Sequence, residues 1–410
     1  MTRTESLAES RYAWARLAAA LALMTIGGSG MYAITVVLPH VQSDFGVSRA
    51  DASLPYTFTM IGFGLGGILM GRLSDRYGVM VPVIVGALGI SAGFVAAGTA
   101  GSLWQFNLAQ GLLIGLLGTS ATFAPLVADI SLWFTRRRGI AVAICISGNY
   151  LAGAVWPPVM QHYIDSVGWR QTYIGIGVFC LAAMLPLALL ALRRRPPVLE
   201  LPAAESATRV AGSADTLGLS PGALQALLCV AGVACCVAMS MPQVHIVAYC
   251  GDLGYGPARG AQMLSLMLGF GIVSRLTFGW ISDRIGGLRT LLLGSSLQGI
   301  ALLLFLPFNG LVSLYVVSAL FGLFQGGIVP PYALIVREHF APREAGARVG
   351  TVLMATLFGM ALGGWMSGAI FDLTGSYRAA FVNGIAWNLV NIAIVAALLY
   401  RLRARTAFAG

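Results

Sequence analysis

Twelve times along this chain, apolar residues run for close to the length of a membrane crossing with almost no charge among them. A helix of about twenty such residues spans a ~30 Å hydrocarbon core, and the bilayer interior forces it to be helical because it offers no partners for free backbone groups. The runs lie at approximately 14–38, 52–71, 80–100, 103–128, 139–160, 169–192, 223–249, 258–281, 288–308, 311–335, 347–369 and 379–400, and are numbered spans 1 to 12. Only 10% of the 410 residues are charged, against about 25% in soluble domains. A soluble enzyme, a nucleic-acid binder, a disordered scaffold and a secreted disulfide domain are all excluded. The chain is expected to be an all-α, multi-pass membrane protein with twelve transmembrane helices. Span 1 follows Arg11 and Arg16 as a signal peptide would. It continues unbroken to Leu38 and has a counterpart later in the chain, so it reads as a retained helix.

All 25 basic residues are arginine, and against 15 acids they give a net charge of +10. They sit between the apolar runs, where a positive-inside bias explains them better than nucleic acid does. Twenty fall on one side. Arg49, Arg170, Arg259 and Arg378 fall on the other, and Arg275 lies within a span. Both termini and the polar segment 193–221 are therefore expected to be cytoplasmic, in a cell (inner) membrane. The six cysteines form no CxxC or Cys/His cluster, so neither a metal site nor a cofactor is expected.

The chain repeats itself. Gly71-Arg-Leu-Ser-Asp75-Arg76-Tyr-Gly78 matches Gly279-Trp-Ile-Ser-Asp283-Arg284-Ile-Gly286 at an offset of 208, and Asp44-Phe-Gly46 matches Asp252-Leu-Gly254 at the same offset. Pro125 with Pro331, Phe134 with Phe340, Asp165 with Asp372 and Arg170 with Arg378 continue the register at offsets of 206 to 208. Two fused six-span halves are one of the known transporter plans. The expected bodies are an N-terminal bundle at 1–192, a cytoplasmic linker at 193–221 and a C-terminal bundle at 222–410.

With its signature loop present in both copies, the sequence resembles the major facilitator superfamily over essentially its whole length. That resemblance implies two pseudo-symmetric six-helix bundles and alternating access about a central site. Several stretches are similar to the bacterial monocarboxylate and oxalate/formate carrier branch: Asp44-Phe-Gly-Val-Ser-Arg-Ala, Trp133-Phe-Thr-Arg-Arg-Arg-Gly139, Pro157-Pro158 with Gly168-Trp-Arg170, Val244-His-Ile-Val-Ala-Tyr249 and Ser274-Arg275-Leu.

In the two signature loops, Gly71 and Gly279 are expected to let helices cross closely, and Gly78 and Gly286 to permit a tight turn. Asp75 and Asp283 would sit near a helix N-terminus. Arg76 and Arg284 would pair with cytoplasmic acids, closing an inner gate. Glycines four apart at Gly62/Gly66, Gly67/Gly71, Gly359/Gly363 and Gly364/Gly368 offer smooth packing faces on spans 2 and 11.

Arg275 bears most directly on the substrate. An arginine at mid-span costs about 2.5–3.5 kcal/mol on insertion scales, so it faces a cavity or a partner, or snorkels to the headgroups. Its repeat equivalent is Gly67, so the fold does not need a charge there. A guanidinium in a shielded cavity suits a carboxylate, held by two parallel hydrogen bonds. The carrier branch implies the same role for an arginine in span 8. Other polar candidates near mid-span are Tyr32, Thr119, Asn149, Gln325, Tyr332 and Thr356, with Thr119/Gln325 and Asn149/Thr356 equivalent in the two halves. His245, near the outer end of span 7, is a candidate proton or outer-gate site. For each of these, ordinary interhelical hydrogen bonding is the competing reading.

The departures from the resembled carriers narrow the choice. The acid that animal monocarboxylate carriers place four residues before the span-8 arginine is replaced by Gly271. Their first-span lysine and the span-11 lysine of the oxalate carrier are absent. A monocarboxylate is favoured over a dicarboxylate, and proton coupling has no evident carrier residue, Asp129 in span 4 being the only acid within a span. A proton-coupled drug or metabolite exporter would carry a span-4 arginine where Asn107 and Gln110–Gly111 stand. A neutral, vitamin-like solute carrier, with Arg275 structural, is the other alternative. The expected partners are a small organic anion, the lipid bilayer and, where coupling exists, protons in symport, with no nucleic acid and the chain working as a monomer. No nucleophile–base constellation suggests an enzyme.

Overall fold

The computed structural model describes residues 9–134, 137–194 and 217–408, without the side chains of Pro342, Arg343 and 404–408. Arg3, Arg136, Arg195 and Arg209, which count toward the expected sidedness, lie outside these residues, as do linker positions 195–216. Twelve helical spans are long and apolar enough to cross a membrane: Arg11–Phe45, Arg49–Tyr77, Met80–Gly98, Leu103–Trp133, Arg138–Val167, Trp169–Ala191, Pro221–Asp252, Pro257–Ile285, Gly287–Leu304, Leu311–His339, Glu344–Thr374 and Tyr377–Arg403. Among the described residues there is no strand.

The helices run past the apolar segments that announced them, because a polar turn satisfies its backbone as well as an apolar one. Span 2 starts at Arg49, where the Ser48 hydroxyl accepts the Asp51 amide, and ends only at Tyr77. This corrects the expectation for the signature loops. Asp75 and Asp283 lie in the last turns of helices ending at Tyr77 and Ile285, not beyond them. The chain then reverses at Gly78 and Gly286, whose φ of +85° and +79° only glycine adopts readily.

Three spans are interrupted. Span 1 is two helices, Arg11–Gly27 and Ser29–Phe45. Span 4 begins as Leu103–Leu108, widens into a π-helical stretch over Ala109–Thr119, and restarts after a turn as Ala124–Trp133 with Pro125 in its first turn. Span 10 is Leu311–Gln325 and Val329–His339, restarting on Pro330 and Pro331. Proline suits a first helical turn because its missing N–H would have had no partner there.

By packing, the chain divides into two compact units, 1–200 with 244–269, and 201–243 with 270–410. The arginine-poor ends of spans 7 and 8 thus pack with the first unit, although they belong by sequence to the second repeat.

In the first unit the wide span 4 is sleeved by glycine. A Cβ on Gly62 or Gly66 of span 2 would overlap the Gly111 or Leu116 carbonyl oxygen. On span 3, a Cβ on Gly86, Gly89 or Gly93 would lie 2.6–2.7 Å from Ala121, Leu117 or Ile114. A buried ion pair ties spans 1 and 4. Arg16 donates from Nε and Nη2 to the two Asp129 oxygens at 2.7 and 2.8 Å, and from Nη1 to the Tyr12 hydroxyl and the Ala191 carbonyl, both at 3.1 Å. Its guanidinium lies 4.8 Å from the Trp133 ring centroid. In the second unit a polar network threads the core. Asn388 Nδ2 donates to Gln298 Oε1, the Ser295 hydroxyl to Asn391 Oδ1, and Asn391 Nδ2 to the Ala231 carbonyl and the Tyr332 hydroxyl.

Candidate functional site

In the second unit, Arg275 is half-buried on span 8, at the level where that helix meets the interruption of span 10. The crossing is backbone to backbone. A Cβ on Gly326 would lie 2.5 Å from the Gly271 carbonyl oxygen, and one on Gly327 would overlap Phe278. Gly271, Ser274 and Phe278 are three and four residues apart and so share one helix face. The Gly327 N–H, freed by the interruption, donates to the Ser274 hydroxyl at 3.0 Å. Arg275 is the next residue along. Its helix is therefore fixed against span 10 one position away from the charge. Gly271, where the resembled animal carriers have an acid, lies with its backbone at this crossing: a Cβ on Gly326 would lie 2.6 Å from its Cα.

Gln325, the last residue of the first half of span 10, is fully buried, and neither its amide nitrogen nor its amide oxygen has a hydrogen-bond partner among the described residues. Leaving a buried polar group unsatisfied costs about 1–3 kcal/mol, and such groups are rare enough that each calls for a reason. Its repeat equivalent has the same property. Thr119, at the end of the π-helical stretch, is 2% exposed, and its hydroxyl has no partner among the described residues. Thr119 stands against Gly30 of span 1, where a Cβ would lie 2.8 Å from its Oγ1.

The other candidates divide between the two units. In the first unit, the Tyr32 hydroxyl donates to Asn149 Oδ1 at 3.0 Å, joining spans 1 and 5. The Tyr32 ring and the Leu268 side chain both press on Gly153. His245 is fully buried on the part of span 7 that packs with this unit. In the second unit, Thr356 is 4% exposed and turns its hydroxyl to the Leu353 carbonyl. Tyr332 corrects the sequence reading. The restart of span 10 after Gln325 changes its phase and sends Tyr332 into the hydrophobic core, fully buried among Leu288, Leu291, Leu228 and Val395, with its hydroxyl taken by Asn391 at 2.5 Å.

The signature residues also differ from expectation. A Cβ on Gly71 or Gly279 would meet nothing within 4 Å, so no close crossing accounts for these glycines. Among the described residues Arg76 and Arg284 make no ion pair. Each rests on an aromatic ring of its own helix, Tyr77 at 5.3 Å and Trp280 at 3.6 Å. Sequence reasoning missed the Ser274 brace, whose only signal was a hydroxyl beside the charged position. It also missed the partner of Asp129.

Against known proteins, the family model described as Major Facilitator Superfamily matches residues 18–313 and 226–408. The chain belongs to the Major Facilitator Superfamily. It is thus a member of a transporter family and not an enzyme. It is similar to monocarboxylate transporter 13 of Rattus norvegicus, 29% identical over 358 residues covering 85% of this chain and 78% of the relative. It is also similar to the MFS-type transporter opdF of Penicillium oxalicum, at 27% over 81% of this chain and 76% of that one. In fold it matches the crystal structure of a bacterial homologue of the human lysosomal transporter Spinster, in an inward-facing, occupied conformation. The TM-score is 0.69 at 14% identity, covering 94% of this chain and 96% of that chain.

Proposed function

We propose that this superfamily member is a secondary active transporter of a small organic anion, a monocarboxylate, and that it works by alternating access between the six-span halves 1–192 and 222–410, joined by the 193–221 linker. The reading is carried by Arg275, a guanidinium held mid-span on a helix locked in register by the Ser274–Gly327 hydrogen bond. In a low-dielectric cavity such a group binds a carboxylate by charge and paired hydrogen bonds. Gln325, close in sequence to that lock, brings a donor and an acceptor with no protein partner among the described residues, and Thr119 is its counterpart in the first half. Tyr32, Asn149, His245 and Thr356 complete the proposed substrate-facing set. Tyr332 supports the core behind it. The similarity to proteins named monocarboxylate transporters favours the same substrate class. The arginine count favours cytoplasmic termini in a cell membrane.

The orphaned amide of Gln325 and hydroxyl of Thr119 also favour a second reading. Two neutral polar groups would suit an uncharged polar solute, with Arg275 structural. One experiment separates the two: uptake of labelled lactate, pyruvate, acetate and oxalate into proteoliposomes, with and without a pH gradient, by the parent and by Arg275→Gln. Uptake of a monocarboxylate that is lost in the variant is the expected result. Equal uptake by the variant overturns the anion site, and uptake of neutral solutes alone selects the second reading.

A further inference from the structure

The two repeats treat one acid differently. Asp44, at the arginine-poor end of span 1, is bound within its own half: Arg170 Nη2 and Nε reach its Oδ2 at 2.9 and 3.1 Å. Arg170 also donates to the Gly98 and Ala100 carbonyls. The same acid in the second repeat is Asp252, and the same arginine is Arg378. That pairing is not the one formed. Asp252 is instead held by Arg49, which donates from Nη1 and Nη2 to its two carboxylate oxygens, each at 3.2 Å, while Arg378 is exposed. Position 257, the repeat equivalent of Arg49, is Pro257. The cation that makes this bond exists in one half only.

The bond ties the start of span 2 to the end of span 7, across 203 residues, inside the first compact unit. Two further contacts accompany it. The Ser265 hydroxyl donates to the Ala154 carbonyl, and Leu268 is wedged against Gly153 beside Tyr32. Together they fasten Val244–Gly269 to spans 1, 2 and 5. Arg49 is the polar fixture of this seam, its side chain 9% exposed against 38% for Asp252.

We propose that Arg49–Asp252 is a latch that holds the arginine-poor, outer side of the carrier closed, and that it must break each time the site opens outward. This rests on the alternating-access part of the proposed function and not on the substrate. Asp44–Arg170 is the control written into the same molecule: an equivalent acid whose partner lies within its own half and need not be released. Leu268 reports the opening, because it is 1% exposed while the seam is closed and stands beside Tyr32.

The test uses the full-length chain in proteoliposomes oriented with the arginine-poor side outward, carrying Leu268→Cys, with Cys250→Ala to remove the nearby native thiol. A membrane-impermeant maleimide is added outside. Asp252→Asn and Arg49→Gln should each raise the labelling rate by roughly 1.4-fold to fivefold, the range for a partly exposed ion pair. The swap Arg49→Asp with Asp252→Arg should return it toward the parent rate, which a general loosening of the fold would not do. Asp44→Asn should leave it unchanged. Independently of any latch variant, raising external salt from about 50 to about 500 mM should speed labelling of the parent reporter, since screening weakens the pair. Unchanged labelling in both single variants, a swap that labels as fast as they do, or indifference to salt would overturn the latch. Labelling needs no substrate, so failure of carboxylate uptake would remove the substrate reading and leave the latch standing.

Discussion

Asp129 is the one buried acid among the described residues, which makes it the natural suspect for a proton carrier, but its geometry argues for a brace. Both of its oxygens are taken by Arg16 at 2.7 and 2.8 Å, and the two side chains are 4% and 0% exposed. Arg16 also donates from Nη1 to Tyr12 and the Ala191 carbonyl, so the pair joins spans 1, 4 and 6. Removing one partner strands a charge that the fold cannot hydrate, at a cost of about 3–5 kcal/mol. Removing both in favour of apolar side chains of similar volume eliminates the stranded charge and is often neutral or stabilising. Asp129→Ala is therefore expected to lower the unfolding midpoint of the detergent-solubilised protein sharply. The double variant Arg16→Met with Asp129→Leu is expected to recover most or all of it, and with it whatever transport the parent shows. Thermal unfolding followed by size-exclusion fluorescence reads the first, and proteoliposome flux under a pH gradient the second. A double variant that is as stable as the parent yet has lost its response to the pH gradient would refute the brace and restore Asp129 as a proton carrier.

Gly62→Ala should be strongly destabilising because its Cβ would overlap the Gly111 carbonyl oxygen, whereas Gly71→Ala and Gly279→Ala should leave stability near the parent, since a Cβ there meets open space; midpoints of the three variants decide. Tyr332→Phe should cost about 1–3 kcal/mol by leaving one Asn391 amide N–H without its acceptor, without changing the apparent KM for substrate. Gln325→Leu should do the reverse, keeping or raising stability because it removes two unsatisfied atoms, while raising KM. Ser274→Ala should raise the KM for an anionic substrate more than it lowers the maximal rate, and Ser274→Thr should restore it; equal losses in both parameters would mean the hydroxyl only holds the fold.

The architecture was legible because its two signals are long-range averages. Hydropathy over twenty residues survives a few polar positions, and a repeat of about 208 residues is tested at many places at once. Helix ends were not legible from hydropathy, which is why Asp75 and Asp283 looked like loop residues when they close the last turns of spans 2 and 8. Interruptions inside spans were the larger omission. Span 4 changes to π-helical spacing with no proline before Pro125, and span 10 restarts after Gly326 and Gly327. Each interruption rotates the helix beyond it, so a face inferred by counting turns is lost, and Tyr332 went to the core. Pairings were invisible for another reason. Arg16 and Asp129 are 113 residues apart, and Arg49 and Asp252 are 203 apart. An acid inside a span predicts that a partner exists but does not say which.

What the repeats share and where they part divides scaffold from function more sharply than either half alone. Both keep the glycine of positive φ after the acid that ends the first span of each half, Gly46 and Gly254, and both interrupt their fourth span beside a buried, unpartnered polar group. The differences cluster where spans 2 and 8 meet spans 4 and 10. In the first half, Gly66 packs under the Ser120 hydroxyl and Gly67 is bare. In the second half, the hydroxyl has moved to Ser274, the glycines to Gly326 and Gly327, and the bare position has become Arg275. Exchanging the hydroxyl and the glycine between helices keeps the crossing equally tight while freeing span 8 to carry a charge that span 2 lacks.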